Sequence, residues 1–307
     1  MNYSRREIMQ LYGLAGLGLA TMPSLFSFSQ KETMGQRVIP SSGEKLPMVG
    51  LGTWQTFDVG NSQTELAVRK QILVEMRKLG GTVIDSSPMY GSSEAVVGRV
   101  AAQLDSQDNF FYATKVWTSG QQAGIDQMNS SFSKMQRKKM DLMQIHNLVD
   151  WKTHLKTLRT WKEQGKIRYW GLTHYVDSAH PTLEQIIKAE KPDFVQFNYS
   201  IRSRNAEKSL FESCQKHGTA VIINQPYESG SLFRKVRGQA LPQWCADYDI
   251  NSWGQYFLKF ILSSEAVTCV IPGTSKPKHV IDNMGAGYGS LPDASAKEKM
   301  VRYLEGL

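Results

Sequence analysis

Cysteine is scarce, with three among 307 residues. Cys214, Cys245 and Cys269 are odd in number, widely spaced, and set neither as C-x-x-C nor near a histidine at ligand spacing. No disulfide framework and no metal site is implied. Cys269 lies in the apolar run 267–271 and reads as a buried structural thiol. Beyond residue 36 no Pro-rich or Gly/Ser-rich linker divides the chain, so one domain is expected. No G-x-G-x-x-G follows the first candidate strand, which weakens an open dinucleotide-binding sheet. Long runs of like charge are missing too. Lys and Arg outnumber Asp and Glu by 36 to 28, for a net charge of +8. Apart from Arg137, Lys138 and Lys139, read as a solvated helix end, they are scattered. Nucleic acid is therefore not an expected partner, whereas charge alone does not choose between an anionic membrane and an anionic small ligand.

What is present begins with Ser4-Arg5-Arg6-Glu7-Ile8-Met9, an uncharged and mostly apolar stretch over 11–22, Pro23, and a segment containing Ser27-Phe28-Ser29. This resembles a twin-arginine export signal. Residues 1–29 are expected to be that signal, with cleavage after Ser29 and a periplasmic destination. The uncleaved alternative is a membrane anchor, since residues 11–28 are near the ~18-residue lower range for spanning. Contact with the membrane is otherwise transient. Without residues 1–29 the net charge is still +7, because that segment carries Arg5, Arg6 and Glu7.

Residues 30–307 form the expected domain. A hairpin over 36–47 precedes eight short apolar runs, at 48–51, 82–85, 110–115, 142–146, 169–173, 194–198, 220–224 and 267–271. Between them lie segments of helical period at 65–78, 93–104, 124–135, 151–163, 181–190, 205–217, 252–262 and 277–284, with a last helix over 294–307. Eight strands alternating with eight helices in one undivided domain predict an α/β fold: a single (β/α)8 TIM barrel with an N-terminal hairpin cap and a C-terminal helix.

The apolar runs end in Asp85, Lys115, His146, Thr173-His174, Gln196 with Asn198, Asn224 and Thr274-Ser275. The carboxyl ends of barrel strands share one face, so these side chains converge there. Each alone has an ordinary structural explanation, as a cap, an ion pair or a satisfied core histidine. Together they are hard to explain as packing, because buried polar groups are costly unless paired. They predict a site.

At this point the sequence resembles the aldo-keto reductase family over about residues 36–295. Met48-Val49-Gly50-Leu51-Gly52-Thr53-Trp54 is similar to its opening strand. Ile84-Asp85-Ser86-Ser87-Pro88-Met89-Tyr90-Gly91, followed by Glu94, is similar to its signature segment. Ala113-Thr114-Lys115, Gln144-Ile145-His146-Asn147, residues 165–171 and Ile271-Pro272-Gly273-Thr274-Ser275 follow in the family's order. The resemblance implies reduction of an aldehyde or ketone to an alcohol by hydride from NADPH, with Tyr90 as general acid. Lys115 would lower the phenol's pKa from about 10, an attraction worth about 4 kcal/mol at 4 Å and an effective dielectric of 20. Asp85 would hold Lys115, and His146 would orient the carbonyl. Trp54, Trp117 and Tyr227 are candidates for the wall of an aromatic pocket.

The resemblance also implies the cofactor contacts. Gly52, Thr53, Trp54 and Asp85 lie at the first two strand ends; Thr173, His174 and Gln196 would hold the nicotinamide carboxamide. Asn224 stands where the family often stacks an aromatic ring. Ser229, Gly230 and Leu232 belong to the loop over the pyrophosphate. Gly273, Thr274, Ser275, Lys276, His279 and Asn283 would hold the adenosine end, where backbone N–H groups and a helix N-terminus suit an anion. His174 replaces an amide, and Gly273 and His279 replace a lysine and an arginine that commonly hold the 2′-phosphate. Lys276 and Lys278 favour NADP, with NAD the alternative. A monomer acting on a small-molecule carbonyl substrate is expected. The competing reading is an exported sensor or redox protein that retains its nicotinamide cofactor. A barrel hydrolase ranks last, since Asp85 is the lone strand-end carboxylate.

Overall fold

The computed structural model describes residues 33–307. The expected export segment, residues 1–29, lies outside the described residues. The chain enters with an antiparallel hairpin of β1 (Gln36–Val38) and β2 (Lys45–Pro47), in which Arg37 faces Leu46. The guanidinium of Arg37 donates to the backbone carbonyls of Leu262, Ser264 and Val267, more than 220 residues away. Those carbonyls lie at and beyond a helix end, where no intrahelical partner is available.

Eight parallel strands follow: β3 (Leu51–Gly52), β4 (Val83–Asp85), β5 (Phe111–Val116), β6 (Met140–His146), β7 (Ile167–Thr173), β8 (Phe194–Asn198), β9 (Ala220–Asn224) and β10 (Cys269–Val270). Each pairs with the next in sequence. The ring closes between its first and last members through isolated bridges, Val49 to Val270 and Gly52 to Gly273. These two strands are shorter than the runs expected at 48–51 and 267–271. The first strand is pressed from both sides: a Cβ on Gly50 would sit 2.9 Å from the carbonyl oxygen of Val83 on β4, and one on Gly52 2.8 Å from that of Ile271 across the closure. Only glycine admits such an approach.

The helices are α1 (Gln63–Lys78), α2 (Ser93–Ala101), α3 (Gln121–Lys134), α4 (Trp151–Glu163), α5 (His180–Glu190), α6 (Leu210–His217), α7 (Ser231–Lys235), α8 (Trp253–Leu262), α9 (Pro277–Gly285) and α10 (Ala294–Glu305). Their starts are written in the sequence. The hydroxyl of Ser62 accepts from the Glu65 N–H at the head of α1, Ser252 does the same for Gln255 at α8, and Asp293 for Ala296 at α10. Helix α1 then turns Leu66, Ile72, Leu73 and Met76 inward and ends in Arg77 and Lys78, favourable at a helix C-terminus. The helix expected over 205–217 is divided. A 3-10 turn spans Asn205–Lys208, and Ser209, at φ −159° and ψ −28°, leaves helical geometry before α6 begins. Helix α7 and the 3-10 helix Gln243–Tyr248 lie in stretches where no helical period was legible.

Two apolar cores result. The larger fills the mantle between the strands and the helices. The smaller lies inside the barrel and includes Val83, Phe111, Leu142, Tyr169, Phe194, Ala220, Ile222 and Cys269, with Ile39 and Leu46 of the hairpin region closing it from below. Residues 33–307 make one compact unit. Among the described residues, no helix is long and apolar enough to cross a membrane.

Candidate active site

Strand alternation carries the barrel interior from apolar to polar within one step of two residues. On β5, Phe111 belongs to the inner apolar core and Lys115 stands four residues on; on β8, Phe194 is followed by Gln196. Asp85, Gln144 and Gln196 come from the alternate strands β4, β6 and β8 and meet as one layer, as inward residues of such barrels do. All three are buried, as is Lys115 at 0 % exposure.

Their hydrogen bonds interlock. The Lys115 Nζ donates to Asp85 Oδ2 at 2.5 Å and to the Ser86 carbonyl at 2.7 Å. The other oxygen, Asp85 Oδ1, accepts from Gln144 Nε2 at 2.9 Å and from Gln196 Nε2 at 3.0 Å, while Gln196 Nε2 also reaches Gln144 Oε1 at 3.1 Å. Thr173 Oγ1 and Asn224 Nδ2 donate to Gln196 Oε1 at 3.2 and 3.3 Å. The hydroxyl of Thr53 donates to the Asp85 carbonyl at 3.0 Å and lies 2.9 Å from the Ser86 hydroxyl, tying the first strand end to the second. A buried ion pair is held in a full set of donors and acceptors, the condition under which burying charge is tolerated.

Tyr90 and His146 stand above this layer. The Lys115 ammonium is 4.9 Å from the Tyr90 ring centroid, and the Tyr90 and His146 rings meet edge to face at 5.8 Å. Burial drives the Tyr90 phenol above its ordinary pKa; the Lys115 cation pulls it down, and the Asp85 carboxylate pushes it up. The lowering expected from Lys115 is therefore present but outweighed by burial. Burial also works against the Lys115 ammonium, yet Asp85 and Tyr90 overcome it, so its pKa is raised and the side chain stays charged. His146 is pushed down to about 2, by burial first and then by the Lys115 and His174 charges. Its ring is neutral. Ser87 Oγ lies 3.0 Å from His146 Nδ1 and accepts from the Met89 N–H at 3.4 Å, which leaves the Ser87 proton for Nδ1. The assigned tautomer then carries N–H at Nε2.

These residues open into a cavity of about 800 Å³. Of the residues expected from the sequence, Gly52, Thr53, Trp54, Asp85, Tyr90, His146, Gln196, Asn224, Ser229, Gly230 and Gly273 line it, and Lys115 and Thr173 bond to residues in its wall. His174 is not in that wall. Its Nδ1 accepts from the Tyr175 N–H, its ring stacks on Tyr175, and its carbonyl receives Asn224 Nδ2 at 3.1 Å. Asn224 is thereby the amide beside Gln196. Leu232 is wholly buried in the mantle core, so only its backbone could meet a ligand. Thr274, Ser275, Lys276 and His279 sit at the head of α9, outside the cavity wall, where Thr274 Oγ1 accepts from the Lys276 N–H. Asn283 is buried, its Oδ1 receiving the Tyr227 hydroxyl at 2.7 Å. Among the described residues, no group of three His, Cys, Asp or Glu could hold a metal.

Two contributors escaped sequence reasoning. Gln144 was quoted within a motif but given no role, although it faces Lys115 in the strand register. Ser87 lies between two site residues in the signature segment, and that position was the signal available for it.

A model of the Aldo/keto reductase family matches residues 48–298. The chain belongs to this family. Methylglyoxal reductase YeaE of Escherichia coli is 28 % identical over 259 residues, covering 81 % of this chain and 89 % of that protein. An aldo-keto reductase from Klebsiella pneumoniae, solved in complex with NADPH, superposes with a TM-score of 0.72 at 22 % identity, covering 89 % of this chain and 95 % of that one. A holo-form aldo-keto reductase from Bacillus halodurans gives 0.71 at 20 % identity, covering 88 % and 96 %. At such identities the solved structures establish the shared barrel.

Proposed function

We propose that this aldo-keto reductase uses NADPH to reduce an aldehyde or ketone to the alcohol, with Tyr90 as proton donor. The hydride that NADPH supplies when bound and the proton from Tyr90 convert the C=O group to CH–OH and leave NADP⁺. The carrying observation is the union of Tyr90, His146, Lys115 and Asp85 beside one cavity.

Tyr90 keeps its proton at neutral pH, because burial holds the phenol up. As the carbonyl oxygen gains charge, the Nε2 N–H of neutral His146 donates to it and the Tyr90 proton follows. Lys115 then stabilises the phenolate left behind, and Asp85 keeps Lys115 in place. The residues suit a nicotinamide cofactor. Asn224 Oδ1 is a buried acceptor without a partner beside Gln196, matching the N–H of a carboxamide. At the other end Lys276 and Lys278 precede His279, whose pKa is lowered by burial and then by those two cations, so the head of α9 favours an anion such as a 2′-phosphate.

Export through the twin-arginine route, read from Arg5, Arg6 and the apolar stretch behind them, belongs to the same proposal. So does a monomeric state. The deciding experiment follows loss of nicotinamide absorbance with the purified full chain, NADPH and an aldehyde panel. Tyr90→Phe should lower turnover by about 10²–10⁴-fold while the NADPH dissociation constant moves by less than about twofold. Undiminished turnover would remove Tyr90 from its role. Cofactor that co-purifies and never turns over would favour the retained-cofactor sensor.

A further inference from the structure

The described chain has nine large hydrophobic residues that are exposed, and five of them ring this single cavity: Trp54, Met89, Trp117, Tyr175 and Phe233, each at 40–48 % exposure. Exposed apolar groups concentrated around one concave site mark a binding surface. Four of them sit on the loops after β3, β4, β5 and β7, on the same rim as Tyr90 and His146. Phe233 sits on α7, packed on Tyr227 and Phe257.

The second observation is electrostatic. Although the chain carries net charge +8, no lysine or arginine lines the cavity. Its one charged lining residue is Asp85, and the Lys115 cation behind it is already committed to that carboxylate. A phosphate or carboxylate on the substrate would enter with no counter-ion, and the phosphates of a bound cofactor would add repulsion.

We propose that the substrate is an uncharged carbonyl compound with a planar apolar body, an aryl or conjugated aldehyde or ketone. Trp54, Trp117 and Tyr175 clasp that body while its carbonyl oxygen meets Tyr90 and His146. Phosphorylated and carboxylated aldehydes are discriminated against. This rests on the carbonyl-reducing reading above.

The test uses the purified full chain and matched substrates: 4-methylbenzaldehyde against 4-carboxybenzaldehyde, cinnamaldehyde against propanal, and glyceraldehyde 3-phosphate and xylose as polar arms. The methyl member should exceed the carboxylate in kcat/KM by roughly 10-fold or more, and both polar arms should fall below cinnamaldehyde. Trp117→Ala should cut kcat/KM for cinnamaldehyde by several times its effect on propanal, mainly through KM. A carboxylate or phosphate preferred over its neutral counterpart, or xylose over the aryl aldehydes, overturns the proposal. Binding is read separately, from quenching of tryptophan fluorescence by 4-methylbenzyl alcohol without cofactor. Saturable quenching that is lost in Trp54→Phe/Trp117→Phe supports the aryl site even if no aldehyde turns over, a result that would instead sink the reductase reading. Absence of quenching together with a flat substrate profile overturns the aryl site alone.

Discussion

Phe111 and Lys115 stand on one strand, both directed into the barrel and both buried, yet they sit in opposite chemical worlds. Phe111 packs between Tyr169 and Phe194, with ring centroids 6.0 and 5.9 Å away, in a floor of apolar and aromatic side chains. Lys115 is surrounded by a carboxylate, a backbone carbonyl and a phenol. The floor makes the barrel stable through area and packing; the upper layer makes it reactive, and its buried charges are tolerated because the Lys115–Asp85 pair is fully hydrogen-bonded. The two halves should therefore fail differently when broken.

The largest effect belongs to the upper layer. Lys115→Met leaves Asp85 buried without its cation, and should cost about 3–5 kcal/mol of stability as well as about 10²–10⁴-fold in turnover. Asp85→Asn/Lys115→Met removes both charges and keeps an acceptor for the two glutamines. Most of the stability should return while turnover stays lost, a split that thermal unfolding and steady-state rates together would reveal. If stability does not return, the pair is a scaffold and the comparison fails.

The floor gives the converse. Phe194→Ala should cost about 3–5 kcal/mol in chemical unfolding, while turnover per folded molecule changes by less than about twofold. A large kinetic effect would mean that the two halves are mechanically coupled.

The smallest effect, read over a single pH unit just below 6.5, separates the halves by pH. His146 has its pKa depressed from 6.5 to about 2, so the unfolded chain takes up a proton that the folded one refuses. Its contribution is fully present above pH 6.5 and is lost as pH falls below it, by roughly 1.4 kcal/mol per pH unit. His146→Gln should flatten this part of a stability–pH curve; an unchanged slope would mean that the imidazole titrates freely in the fold.

Much of this division was legible in the sequence, because a strand end announces itself when an apolar run stops in a charge. Asp85, Lys115 and His146 were found that way, and so was the barrel. Gln144 was not, since an uncharged amide inside an apolar run looks like tolerated polarity until its partners on β4 and β8 are seen. The sign of the Tyr90 shift was hidden for a related reason: a sequence shows a neighbouring cation but not how much water the fold removes. Ser209 interrupts a helical period without glycine or proline, its hydroxyl turned to Glu184 on α5, a partner that the sequence pattern does not reveal. The place of Asn224 beside Gln196, rather than the ring of His174, depends on a side-chain direction that strand spacing does not carry.

The hairpin beneath the barrel has a consequence for the order of events in folding. Arg37 finds its three acceptors only once residues 262–267 exist and α8 has formed. In a chain made from its amino end, the first segment of this domain must wait for nearly the last before it can seat. Contacts of such sequence separation form late and slowly. Until then Ile39 and Leu46 leave the barrel floor uncovered, so the docked hairpin is a mark of a completed domain, and protease resistance at residues 36–47 would report the moment of completion.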